Sequence, residues 1–202
     1  MMILRSVPAS PFGRKIKLAA AILGLEGNIR VEATDTNNPG DTLRAQNPLG
    51  KIPTLVLQDG TTLFDSRVIS EYLDAIAGGG RIIPIETRAR FAALRLQALA
   101  DGMMDACILQ VYEGRWRPPE RHEPKWLAYQ AEKVARTLTM LEAEPPALDP
   151  TPHVGHIALA CALGYLDLRF GGTWRADHPR LVRWLDGFAT RLPAFAATKV
   201  VA

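Results

Sequence analysis

Cysteine is nearly absent from this chain: Cys107 and Cys161 are its only two among 202 residues. They lie far apart and form no C-x-x-C pair, which excludes a disulfide framework and a thiolate metal centre. Each sits in an apolar helical run, as a buried packing residue of a reducing compartment does. Long hydrophobic runs are missing too. The longest charge-free apolar stretch, Val154–Leu166, is too short to span a bilayer and is interrupted by His156. No charged segment followed by an apolar core and a cleavage site opens the chain, so a cytoplasmic location is expected and no membrane partner. Neither sign of charge dominates: 24 Lys and Arg face 21 Asp and Glu. With no basic block, the chain lacks the electrostatic footprint of a nucleic-acid binder. Arg115, Arg117, Arg121 and Lys125 do gather around Trp116 and Trp126, and read as a solvated connection between helices.

What is present is ample apolar content, 48% of residues, enough for one large core or two small ones. Met2–Val7 reads as a buried strand. Pro11–Leu25 reads as a helix with Phe12, Ile16, Ala19, Ala20 and Leu23 on one face, stopped near Gly27. A second strand is expected at Ile29–Ala33, then a polar loop from Thr34 to Gln46 with a single helical turn. Thr54–Leu57 and Thr62–Phe64 flank an Asp59-Gly60 turn and form a hairpin. A third helix follows over Ser66–Ala77, with Val68, Ile69, Tyr72, Leu73 and Ile76 facing inward. The order βαβ, loop, ββα is that of a thioredoxin-like domain.

Gly78-Gly79-Gly80 and Pro84 end the helix and mark a boundary. The expected division is residues 1–78, a linker at 79–86, and an all-α region over 87–202. Its helices are predicted at Thr87–Tyr112, Glu123–Ala143, His153–Phe170 and His178–Arg191, with a last turn after Pro193.

Three motifs carry chemistry. Ser10-Pro11-Phe12-Gly13-Arg14-Lys15 places a hydroxyl at a helix amino end, where free N–H groups and the macrodipole favour an anion such as a thiolate. Asn47-Pro48-Leu49-Gly50-Lys51-Ile52-Pro53 leads into the hairpin, and Lys51 is placed for a carboxylate. Phe64-Asp65-Ser66-Arg67 opens the third helix, where Ser66 can hold a carboxylate and Asp65 an ammonium. Plain helix caps and a strand start are the alternative readings of each motif alone. Asp101 and Asp105, one turn apart in an apolar helix, call for a cation nearby. That cation is either an arginine of the same bundle or a ligand ammonium.

In this order and at these distances the motifs resemble the glutathione transferase family over nearly the whole chain, nearest to a bacterial subgroup of the YibF type. Ala100 to Ala106, an Ala-Asp-Gly-x-Met-Asp-Ala run, adds to the likeness. The resemblance implies a thioredoxin-like domain holding glutathione as co-substrate, a helical domain supplying the second-substrate pocket, a homodimer, and no metal. Ser10 would activate the thiol, and detoxifying attack on a small apolar electrophile is the implied reaction. Phe12, Lys51, Ile52, Asp65 and Ser66 would hold glutathione, with Pro53 as a cis-proline. Asp101 would reach glutathione across a dimer, and Met104, Ile108, Tyr112 and Trp116 would line the second pocket. A glutathione-dependent disulfide or peroxide reductase and a non-enzymatic protein-binding factor are the rival readings. One departure stands out: the family's Ser/Thr-x-x-Asp helix cap is replaced by His153 and His156. A capping or buried hydrogen-bonded role for His156 is expected over that of a catalytic base.

Overall fold

The computed structural model describes residues 1–200. The first half alternates strand and helix: β1 (Met2–Ser6), α1 (Pro11–Leu23), β2 (Ile29–Ala33), α2 (Leu43–Gln46), β3 (Thr54–Val56), β4 (Thr62–Leu63) and α3 (Ser66–Ile76). The strands form one sheet in the order β2-β1-β3-β4, with β1 parallel to β2 and the other pairings antiparallel. This is the expected thioredoxin-like βαβ-ββα arrangement. Leu4, Ile16, Leu55, Ile69 and Leu73 fill its core at 1% exposure or less.

Two details depart from the periodicity. Helix α1 ends at Leu23 rather than Leu25, because Gly24 adopts φ 73° and turns its N–H onto Ala20 O and Ala21 O, a left-handed stop that glycine takes without strain. Of the five residues expected to face inward on α3, only Ile69 and Leu73 are fully buried, whereas Val68 and Ile76 are exposed. Ser66, Ser70 and Asp74 take the inward positions in their place. Asp74 has a definite task there. Its carboxylate accepts from the N–H groups of Gly80, Arg81 and Ile82 at 2.8 to 3.0 Å, fixing the glycine-rich connection against the sheet layer.

The second half is helical: α4 (Thr87–Trp116), α5 (Pro124–Ala143), α6 (Val154–Phe170), α7 (Pro179–Arg191) and α8 (Pro193–Ala197). Helix α4 runs one turn past the expected Tyr112. Helix α6 is apolar nearly all round and is buried from Val154 to Leu163 without a break, as the central helix of a bundle must be. It meets α4 closely at Gly155, where a Cβ would stand 2.6 Å from Ala93 O. No described helix is long and apolar enough to cross a membrane.

The start of α6 carries the histidine pair. His153 Nδ1 accepts from the N–H of Gly155 at 3.1 Å and of His156 at 3.4 Å, while His156 Nδ1 accepts from His153 N–H at 3.4 Å. The rings stack with centroids 3.5 Å apart. Two imidazoles thus make the reciprocal cap usually built from a hydroxyl and a carboxylate.

Candidate active site

The sheet topology gathers the three motifs at one end. Arg5 of β1 pairs with Thr54 of β3, and Leu55 of β3 with Leu63 of β4. The segments leaving β1, entering β3 and leaving β4 therefore emerge together. These segments carry Ser10, Lys51-Ile52-Pro53 and Asp65-Ser66.

Ser10 caps α1 from extended backbone, and its Oγ accepts from Gly13 N–H at 3.0 Å. That bond uses a lone pair and leaves the hydroxyl proton free to donate to an anion. Gly13 packs closely here: a Cβ there would lie 1.9 Å from Ser6 Oγ and 3.2 Å from Ser6 Cβ. The glycine lets α1 approach the end of β1 and so brings the cap to the sheet. Phe12 is half-buried beside it.

The Asn47–Pro53 loop folds around the buried Asn47 side chain. Its Nδ2 donates to Lys51 O at 2.9 Å and its Oδ1 accepts from Leu49 N–H at 3.0 Å. Lys51 is exposed, Ile52 half-buried and Pro53 buried, and the Ile52–Pro53 peptide is cis. The Phe64–Asp65 peptide is cis as well, which the sequence did not announce. Asp65 caps α3, accepting from Arg67 N–H at 2.8 Å, while Ser66 is buried at the first helical position.

The structure places Asp101 differently from expectation. It is fully buried, and its two oxygens bind Lys15 Nζ at 2.9 and 3.0 Å and Arg67 Nε at 3.0 Å. Both oxygens are thus committed to cations of its own chain. Its cations come from α1 and α3 rather than from an arginine of the bundle. Asp105, one turn later, is exposed. Desolvation and the charge of Asp101 raise its pKa, opposed by Arg67 and Lys51.

The expected second pocket divides. Met104 is fully buried in the core and Ile108 packs half-buried against it. Tyr112 and Trp116 are exposed and open, with Leu109 and Trp126, onto a shallow cleft of about 420 Å³ that does not reach Ser10. Ser10 opens instead onto a second cleft of about 400 Å³ walled by α1, α6, α7 and α8, including Arg14, Tyr165, Leu168 and Phe195. Sequence reasoning missed this cleft because its walls are joined only by tertiary packing.

Neither thiol is suited to such chemistry, although Cys161 lies in the wall of the Ser10 cleft. Burial pushes Cys107 and Cys161 up to about 12, so neither ionises near neutral pH. Asp149, His153 and His156 bring donor atoms within 4.8 Å of one another. Both Nδ1 atoms of that trio are already committed to backbone N–H groups of the α6 cap.

Comparison with known proteins agrees with this architecture. Residues 9–76 match the family described as Glutathione S-transferase, N-terminal domain, and residues 97–187 match Glutathione S-transferase, C-terminal domain. The uncharacterized GST-like protein YibF of Escherichia coli K12 is 34% identical over 196 residues, covering 94% of each chain. A glutathione transferase family member from Pseudomonas fluorescens Pf-5, crystallised with bound glutathione, superposes with a TM-score of 0.91 at 41% identity over all of both chains. A glutathione S-transferase from Methylobacillus flagellatus with glutathione bound gives 0.91 at 34% identity, also over both full chains.

Proposed function

Because the chain belongs to the glutathione S-transferase family, we propose that it binds glutathione across the end of its sheet and stabilises the thiolate with Ser10. The observation that carries this reading is the Ser10 cap: a buried hydroxyl whose own proton is free, at the amino end of a thirteen-residue helix. A thiol attacks as its thiolate, and a hydrogen-bond donor together with the helix dipole lowers the cost of that charge. Lys51 and Ser66 would hold carboxylates, Asp65 the γ-glutamyl ammonium, and Ile52 the cysteinyl backbone in strand-like pairing. Phe12 would pack against the tripeptide. Asp105 is a second acidic group open to an ammonium.

The thiolate would attack an electrophilic carbon of a small apolar molecule held in the cleft beside Ser10. A homodimer is part of the proposal, supported by the exposed apolar residues Val68 and Ile76 of α3 and Phe91 of α4. A reductase working through bound glutathione starts from the same thiolate. The protein's own thiols do not serve it, since both are buried and held protonated. Assaying an aryl halide beside a glutathione mixed disulfide, with Ser10→Ala as control, tests the choice. Turnover of the halide that falls at least about tenfold in the variant supports transfer; turnover of the disulfide alone supports reduction.

A further inference from the structure

The cleft beside Ser10 contains a cation to which no carboxylate among the described residues is hydrogen-bonded. Arg14, one turn along α1 from Ser10, is only 8% exposed. Its guanidinium stacks 4.0 Å from the centre of the Phe195 ring and donates to Phe195 O and to Thr198 Oγ1. Both acceptors are neutral. Asp167 is the carboxylate that acts on it across the cleft, yet that group is held by Arg175 at 2.6 and 2.8 Å and by Trp174 Nε1 at 2.9 Å. The other two charged groups of the lining, Lys199 and Asp186, are exposed and of opposite sign. Among the described residues of the lining, Arg14 therefore leaves the cleft with one net positive charge.

Its remaining nitrogen, Nη1, has room only because α6 carries Gly164, where a Cβ would come within 2.6 Å. A mid-helix glycine costs about 1 kcal/mol relative to alanine, and here it lets the guanidinium stand at the cleft wall. Beyond these charges and the hydroxyls of Ser10 and Thr198, much of the wall is apolar, with Tyr165, Leu168, Leu185 and Phe195. A buried charge without a counter-ion is unfavourable, and a ligand that brings a carboxylate relieves it with strong, charge-assisted hydrogen bonds.

We propose that this cleft takes an electrophile with an apolar body and a carboxylate, and that Arg14 selects for the carboxylate. The reacting step rests on the glutathione reading above; binding of the acid does not. For a benzylic halide acid, the glutathione sulfur forms the new S–C bond as the carbon–bromine bond breaks. Bromide leaves with the bonding pair, and the thiol proton passes to solvent.

The test uses the full protein without glutathione and, as probe, unreactive 4-methylbenzoate beside its methyl ester. Calorimetry is expected to show the acid bound at least about tenfold more tightly than the ester. Arg14→Met should remove that preference and leave ester binding in place. Because Arg14 also ties α1 to the last helix, Gly164→Ala provides a second variant that keeps the arginine and crowds only its flexible tip. It should cut acid affinity at least about fivefold. With glutathione added, 4-(bromomethyl)benzoate should exceed its methyl ester in kcat/KM, each relative to its uncatalysed rate, by about tenfold. Equal binding of acid and ester by the unmodified protein overturns the proposal, as does a preference that neither variant moves. Separate titration with glutathione tests the thiolate reading, so the failure of either idea shows in its own measurement.

Discussion

Lys15 and Asp101 form a buried ion pair at 2.9 Å, joining the first helix of the sheet layer to the long helix α4, with neither side chain more than 1% exposed. Burial lowers the pKa of Lys15, and the Asp101 carboxylate opposes that. Arg67 closes the triad from α3, so three helices around the candidate site share one electrostatic joint.

Removing one partner of such a pair leaves an uncompensated buried charge. Asp101→Asn is expected to cost about 3–5 kcal/mol, read as a lower denaturant midpoint at unchanged slope. The double change Lys15→Met with Asp101→Leu removes both charges and should recover most of that loss. Additive losses in the double variant would contradict the pairing.

Ser10→Ala removes a helix cap and a hydroxyl together, and two readouts separate them. Stability should fall by about 1 kcal/mol, while turnover should fall at least about tenfold. Ser10→Thr keeps a capping hydroxyl and should retain most of both. An alanine variant with full turnover would confine Ser10 to capping.

Gly13→Ala sets a methyl group where Ser6 Oγ lies 1.9 Å away. Helix propensity alone would make alanine the better residue by about 1 kcal/mol, so propensity and packing predict opposite signs. The close approach wins: thermal unfolding should shift down, and glutathione affinity should fall with it as the Ser10 cap is pushed from the sheet. An upward shift would contradict the packing.

The stacked histidines make stability depend on pH. Burial, His153 and Arg191 lower His156 to about 4, opposed by Asp149, and burial lowers His153 as well. In the unfolded chain each ring titrates near 6.5. Between these values the unfolded state holds more protons, so acidification favours unfolding. The contribution is complete above roughly pH 6.5 and is lost as pH falls toward 4. From pH 7.5 to 5, His156 alone should cost about 2 kcal/mol. The double variant His153→Ser with His156→Asp should flatten that fall in urea titrations. An equal fall in both proteins would remove the histidines as its cause.

Much of the fold was legible because local chemistry and the final packing agree. The Ser10-Pro11 start of α1, the Asp59-Gly60 hairpin and the triple glycine after α3 each announce an element boundary by backbone requirement alone. Val68 and Ile76 do not face inward as their hydropathy predicts, because Ser70 and Asp74 are buried for hydrogen bonds that no hydropathy pattern records. Met104 was assigned to a pocket on its apolar character, which suits a core residue equally well. Lys15, Asp101 and Arg67 meet only once three helices are packed. The same holds for the Arg14 cleft, whose walls are about 150 residues apart in the chain. A cation at position 14 is visible in sequence; that its hydrogen-bond partners among the described residues are neutral is a property of the fold.

The central claim is that glutathione lies at the end of the sheet with its sulfur ionised beside Ser10. Ultraviolet difference titration of the saturated complex, following thiolate absorbance against pH, tests it most directly. Free cysteine thiols ionise near 8.5. The bound sulfur should ionise at least about one pH unit lower, and Ser10→Ala should return it toward the free value. A bound thiol that titrates as it does in water, or a shift that survives in the alanine variant, would contradict the account.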